Sequence, residues 1–322
     1  MHRPQPFVVV LASAALLLAA CGSTDSGGVS DGDPDTPLIV VTTSIWADIT
    51  TNVACDGAAR IETIIPPGGD PHSFEPSLRD RETLDGADLV IANGLELEES
   101  LADTIDAVES NGTTVLRIGE FLDPLAIGPT SHDPDPADRG HSGDDPHVWW
   151  DPTRVATAVP VIADALVGAG LDRARVDVCA EQYASDLGRL DDDVNAIVAL
   201  LPFDQRILVT NHDSLGYFAN RYDFEVVGTV IPSSSSLAAT SPAELDALAD
   251  TIDATGVRAI FADTQNSSND ADALARRVGS VEVISMLTDT LDEPGSEAGT
   301  YIGWLRQNTQ TIVDELTRSG AG

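Results

Sequence analysis

Short runs rich in Val and Ile recur along the chain at residues 38–43, 61–65, 88–92 and 114–118, and again at 206–211, 225–231, 257–262 and 281–285. Each has the length and β-branched character of a buried strand. Stretches with helical periodicity stand between them, among them 95–109, 242–255 and 296–317. The resulting βα alternation falls into two groups of four, the pattern of parallel sheets covered on both faces. Between the groups, Tyr183, Leu187, Leu190, Val194, Ile197 and Leu201 step by four and three within 172–201 and form one continuous apolar stripe. Such a helix reaches roughly 45 Å at 1.5 Å per residue, longer than either group needs. The expected fold is therefore α/β, with two βα lobes, each on a parallel four-stranded sheet, joined by one long rigid helix. The preceding helix, 153–167, carries Pro160 in its interior, which predicts a kink or a break into two pieces.

The N-terminal pattern is different. Arg3 is followed by an apolar run from Phe7 to Ala20 and then by Cys21. That is the layout of a secretory signal, and the run is too short to be a membrane span. Leu-Ala-Ala-Cys resembles a bacterial lipobox, which makes Cys21 a candidate lipid anchor at the mature N-terminus. Residues 21–37, rich in Gly, Ser, Asp and Pro, bury little apolar surface and read as a flexible tether. The expected organisation is a signal peptide at 1–20, the tether at 21–37, an N-terminal lobe at 38–171, the linking helix at 172–201 and a C-terminal lobe at 202–322.

Export places the remaining cysteines, Cys55 and Cys179, where a pair persists as a disulfide, and a bridge between them is expected; two separate buried thiols are the alternative. The formal net charge is -36 and every one of the 17 basic residues is arginine. A nucleic-acid or anionic-lipid binder, whose affinity rests on basic patches, is excluded by that balance. Acidity of this degree is explained by adaptation to salt or a GC-rich genome and is compatible with metal capture without arguing for it.

Three of the six histidines sit where strands end or the groups join. His72 lies in the Pro- and Gly-rich loop Ile-Pro-Pro-Gly-Gly-Asp-Pro-His-Ser-Phe-Glu-Pro, which restrains its backbone. His212 follows the strand Ile-Leu-Val-Thr-Asn, and His147 stands in Asp-Pro-His-Val-Trp-Trp-Asp-Pro before the Pro160 helix. Asp289 comes in Met-Leu-Thr-Asp-Thr after the last strand. Ligands of parallel α/β sheets bind outside the carboxyl ends of the strands, so these four side chains can converge on one cleft between the lobes. Three neutral imidazoles and one carboxylate suit zinc and, less selectively, other borderline metals. Four protein ligands favour holding an ion over using it in catalysis. Singly, each residue has an ordinary reading as a cap or core group. Glu75, Asp145 and Asp213 are placed either to fix imidazole tautomers or to cap turns, and Trp149 and Trp150 to pack the junction.

These segments resemble the cluster A-I (cluster 9) metal-binding proteins of bacterial ABC transporters: Pro-Gly-Gly-Asp-Pro-His72-Ser-Phe-Glu-Pro, Asp-Pro-His147-Val-Trp-Trp-Asp-Pro, Thr-Asn-His212-Asp-Ser-Leu-Gly-Tyr-Phe and Leu-Thr-Asp289. The resemblance extends from about residue 38 to the C-terminus. It implies two βα lobes joined by one helix, with His72, His147, His212 and Asp289 as metal ligands. It further implies a monomeric, non-enzymatic carrier that passes its ion to an ABC permease from the outer face of the membrane. A histidine at the third position is typical of the family's zinc proteins, so His212 favours zinc over manganese or ferrous iron. The segment 130–145 occupies the place of the family's metal-collecting loop, with His132 and His141 as transient contacts, although it is short and poor in histidine. Two other classes stay open: an exported zinc hydrolase, which requires a missing ligand and a base beside metal-bound water, and an adhesion module with a structural metal.

Overall fold

The computed structural model describes residues 36–127 and 143–320. The signal, most of the tether, Cys21, His132 and His141 lie outside the described residues. The first half contains β1 (Leu38–Val41), α1 (Ser44–Ala54), β2 (Arg60–Thr63), α2 (Leu78–Asp85), β3 (Leu89–Ala92), α3 (Ala102–Ser110) and β4 (Val115–Arg117). Two helices, α4 (Pro152–Gly168) and α5 (Arg173–Val198), follow. The second half contains β5 (Ile207–Thr210), α6 (Gly216–Tyr222), β6 (Glu225–Thr229), α7 (Pro242–Thr255), β7 (Ala259–Asp263), α8 (Asn269–Val278), β8 (Glu282–Met286) and α9 (Tyr301–Gly320).

Each group of four strands forms its own all-parallel sheet, in the orders β2-β1-β3-β4 and β6-β5-β7-β8. The second lobe thus repeats the topology of the first. In both, the chain reverses direction across the sheet after its second strand, which opens a crevice beyond the strand ends. The strands' side chains alternate between two apolar layers. Ile39, Val41, Leu89 and Ile91 of the first sheet, and Leu208, Ala259 and Phe261 of the second, face one core that continues through α1, α4, α5 and α9. Leu38, Val40, Val90 and Ala92 face a separate outer layer with α2 and α3, while Val209, Ile260 and Ala262 face another with α7 and α8. The lobes therefore share their main core. The edge strands depart from the buried-strand expectation: Arg60, Glu62 and Thr63 of β2, Glu225 of β6, and Glu282 and Ser285 of β8 are exposed.

α5 is a 26-residue helix, about 39 Å long. It begins on the Asp172 cap, whose carboxylate accepts from the Arg175 N–H, and buries Val176, Ala180, Tyr183, Leu187, Leu190, Val194 and Val198. Cys55, just past the end of α1, is disulfide-bonded to Cys179 of α5, with a Cα–Cα distance of 5.6 Å. α4 runs unbroken through Pro160 over 17 residues. The expected break does not occur because Pro160 is exposed, while Val155, Ile162 and Leu166 on the other face are fully buried. Burial of three such side chains, about 1.5–3 kcal/mol each, outweighs one lost backbone hydrogen bond.

The helix expected at 95–109 starts late. Gly94, Leu95 and Glu96 all have positive φ, a short turn of 3-10 helix covers Glu99–Leu101, and α3 begins at Ala102. The cause is Glu98, whose buried carboxylate turns back to accept from the N–H groups of Asn93 and Gly94 and from the Thr42 hydroxyl. The segment expected as helix from 296 likewise opens on a 3-10 turn, Glu297–Gly299, before α9.

Candidate metal centre

His72, His147, His212 and Asp289 are all buried, and each offers one donor atom such that these atoms lie within 4.8 Å of one another. His147 Nε2 and His212 Nε2 are 3.2 Å apart. The Asp289 carboxylate stands 3.9 Å from the first and 3.6 Å from the second. The His72 ring lies 5.6 and 5.7 Å, centre to centre, from the other two imidazoles. Each lobe supplies part of the set, and each part comes from the carboxyl side of its sheet.

His72 follows β2 through a loop that its own residues brace. Gly68 takes φ +80°, and a side chain on Gly69 would collide with Ile65. Asp70 accepts from the His72 N–H and from the hydroxyls of Ser73 and, across the cleft, Ser236. His147 is placed by Asp145, one oxygen of which accepts from both the His147 N–H and Nδ1. Asn93, at the end of β3, donates to the Pro146 carbonyl, and the Tyr217 hydroxyl donates to the Asp145 carbonyl. Trp149 donates across the cleft to the Thr288 carbonyl, while Trp150 packs on Trp304 at 4.5 Å. Both tryptophans thus close the junction.

His212 leaves β5 with Nδ1 held 2.8 Å from Asp263, the last residue of β7. β7 lies between β5 and β8 in the sheet, so its end reaches the ligand-bearing loops of both neighbours. Asp263 also accepts from Asn211 and from the Thr288 hydroxyl. The Gln265 amide donates to Thr288 at 2.8 Å and to Asp289 Oδ2 at 2.9 Å. Of the three carboxylates considered from sequence as partners of the imidazoles, Asp145 takes that place, Glu75 is exposed, and the buried partner of His212 is Asp263 in place of Asp213. The signal for Asp263 was present: a carboxylate ending the otherwise apolar strand Ala-Ile-Phe-Ala-Asp.

Burial shapes the electrostatics. It pushes Asp145 up to about 7, against the His147 N–H and the nearby imidazoles. It holds His147 well below the ordinary histidine range. At His212 burial is overcome by the carboxylates of Asp263 and Asp289, which raise its pKa to about 10. Burial also opposes ionisation of Asp263, but the His212 charge and three hydrogen bonds bring it down to about 2. Both nitrogens of His72 and Oδ1 of Asp289 are buried without a hydrogen-bond partner. Leaving such atoms unpaired costs about 1–3 kcal/mol each. His72 Nδ1 stands 3.6 Å from the Glu99 carboxylate. One donor atom from each of His72 and Asp289, gathered with the two paired imidazoles, fits a cation.

The family of zinc-uptake complex component A, periplasmic (ZnuA), matches residues 39–315. The chain belongs to that family. It is similar to the manganese-binding lipoprotein MntA of Halalkalibacterium halodurans, at 29% identity over 97% of this chain and 98% of that one. It is 31% identical to the zinc-binding protein TroA of Treponema pallidum over 92% and 94% of the two chains. The iron-binding protein YfeA of Yersinia pestis is 28% identical, with 85% of each chain covered. The solved structure of TroA superimposes with a TM-score of 0.77, at 28% identity, over 87% of this chain and 99% of that one. Its two-lobe architecture is the one described above. A ZnuA-family chain is a metal-binding component of an ABC transporter, not an enzyme, and the resemblance read from the four histidine and aspartate segments identified the family correctly. Among the described residues no helix is long and apolar enough to cross a membrane.

Proposed function

We propose that this protein captures one zinc ion outside the cytoplasm, held by His72, His147, His212 and Asp289, and delivers it to the permease of an ABC importer. The observation that carries the reading is the convergence of four buried donors, two of them with orphaned atoms. Two imidazole nitrogens 3.2 Å apart match the ~3.3 Å edge of a tetrahedron with zinc–nitrogen bonds of ~2.05 Å. Three imidazoles and one carboxylate are a zinc-type set. Hydrogen bonds from Nδ1 of His147 to Asp145 and of His212 to Asp263 leave Nε2 of both rings facing the metal position, the usual carboxylate–histidine–metal arrangement. The layout of residues 1–21, together with relatives named as lipoproteins, supports tethering to the membrane through lipid on Cys21, and a monomer suffices because one chain carries all four donors.

Relatives named for manganese and iron support a second reading, the same role for one of those ions. The test is a competition titration of the metal-stripped chain from residue 38, with zinc against manganese and the bound ions counted, alongside His72→Ala and His212→Ala. One zinc held against excess manganese and lost in both variants is the expected result. A site that prefers manganese establishes the second reading, and a site indifferent to both histidines overturns the ligand set.

A further inference from the structure

The three ligand imidazoles are not held alike. His147 and His212 each have Nδ1 2.8 Å from a buried carboxylate, that of Asp145 and of Asp263 respectively. His72 is buried too, but neither of its nitrogens has a hydrogen-bond partner, and the carboxylate facing Nδ1 is that of Glu99, 3.6 Å away and 40% exposed. Glu99 opens the 3-10 turn Glu99–Leu101, whose next residue, Ser100, donates its hydroxyl to the His72 carbonyl at 3.3 Å. The turn is therefore fastened to the backbone of His72 and carries Glu99 beside the ring. Its own place is fixed by the buried Glu98, which accepts from the N–H groups of Asn93 and Gly94 and from the Thr42 hydroxyl. Asn93, at the start of the same segment, donates to the Pro146 carbonyl next to His147. Residues 93–100 thus brace the backbone at both ligands of the first lobe.

An imidazole that binds a cation through one nitrogen carries a hydrogen on the other. The His72 ring is shut off from water, so leaving that hydrogen unpaired would cost about 1–3 kcal/mol. We infer that Glu99 is the outer partner of His72: with an ion on Nε2, Nδ1 donates to the Glu99 carboxylate, which fixes the tautomer and the ring plane and makes Nε2 the stronger donor. At 3.6 Å the pair stands just outside hydrogen-bond range, and a turn of the exposed Glu99 side chain toward the ring closes it to the 2.8 Å of the other two pairs. Glu99 is then a positioning residue, and of the three carboxylate partners it is the one that faces solvent. The inference rests on the proposed ligand set and adds to it the partner of the third imidazole.

The test is made on the full chain carrying isotope-labelled histidine. Wild type, Glu99→Ala, Glu99→Gln and Asp103→Ala, which removes the same charge from the exposed start of α3, are loaded with zinc, with thermal unfolding as the check on folding. Affinity is read by competition with a chromophoric chelator, and the imidazole nitrogens and their protons by NMR. Wild type should bind one zinc, with Nε2 of His72 on the metal and its Nδ1 proton downfield and slow to exchange with water. Glu99→Ala should move that proton upfield, speed its exchange and lower zinc affinity about tenfold, while the signals of His147 and His212 stay in place. Glu99→Gln, whose side-chain carbonyl still accepts, should fall between the two, and Asp103→Ala should match wild type. An unchanged proton and affinity in Glu99→Ala, an equal loss in Asp103→Ala, or zinc on Nδ1 of His72 would overturn the role of Glu99. A wild-type His72 that carries no zinc on either nitrogen would instead overturn the ligand set beneath it.

Discussion

At the scale of single residues, a metal position depends on side chains that never touch the ion. Asp263 holds the His212 ring with Nε2 free and draws the adjacent Thr288 and Asn211 into place. Asp263→Ala frees the ring to rotate and to change tautomer. Zinc affinity should then fall about 10- to 100-fold, measured by competition with a chromophoric chelator. An unchanged affinity would show that His212 is positioned by packing alone. The raised pKa of His212 gives a pH dependence with a definite sign. The metal-free folded chain keeps a proton on His212 up to about pH 10, whereas the unfolded chain loses it near the ordinary histidine value of 6.5. The associated stability is complete below about 6.5 and is lost as pH rises through about 10. Asp145, raised from 3.8 to about 7, acts with the same sign but only between those two values, so the slope above pH 7 belongs to His212. Between pH 7 and 9 the metal-free protein should lose on the order of 1 kcal/mol per pH unit, read as a falling Tm. Bound zinc takes the place of the His212 proton, so the loaded protein should not follow that decline. Equal slopes for the two forms would mean that His212 is neutral before the ion arrives.

Among elements, the strands were the most legible part of the sequence, because parallel strands covered on both faces leave uninterrupted apolar runs between polar turns. Eight were expected and the eight named strands stand at those places. What periodicity could not report was a side chain turned against its own backbone. Glu98 belongs to an acidic stretch that looks like the solvated face of a helix, yet its carboxylate organises the 93–98 turn. The same limit hid Asp263 and Gln265: hydrogen bonds between loops of different strands have no spacing in sequence. The metal ligands were legible for the opposite reason, since three of them lie in Pro-, Gly- or Trp-containing strings found where strands end. Pro160 shows how packing overrides local preference. α4 stays intact because its buried face is long, and its missing N–H leaves the Ala156 carbonyl without its helical donor. Pro160→Ala should therefore stabilise the protein, by about 1–3 kcal/mol in denaturant unfolding. A loss of stability would show that the proline is needed for the path of the helix.

For the whole molecule, the continuous core and the disulfide keep the two lobes together while the cleft between them carries the chemistry. Cys55 lies at the end of α1 remote from Thr43 and Ser44, where the helix starts beside the cleft, so the bond braces α5 from the far side. It spans 124 residues of sequence, which makes its contribution through loop closure large. Replacing both cysteines with alanine should cost about 2–5 kcal/mol of unfolding free energy and leave zinc affinity unchanged, as followed by denaturant unfolding and zinc titration of the same sample. A matching fall in zinc affinity would mean that the brace also sets the cleft. Across the cleft, Asp70 meets Ser236, Gly68 meets Thr290 and Trp149 meets Thr288. An ion bound to His72 and His147 from one side and to His212 and Asp289 from the other would be the strongest of these links.

The account stands on that shared ion, and a crystal of the zinc-loaded chain measured on either side of the zinc absorption edge tests it most directly. The expected result is one anomalous peak in the cleft, about 2.0–2.1 Å from a nitrogen of each of His72, His147 and His212 and about 2.0–2.2 Å from one oxygen of Asp289. A peak elsewhere, or one that leaves out any of the four side chains, would contradict it.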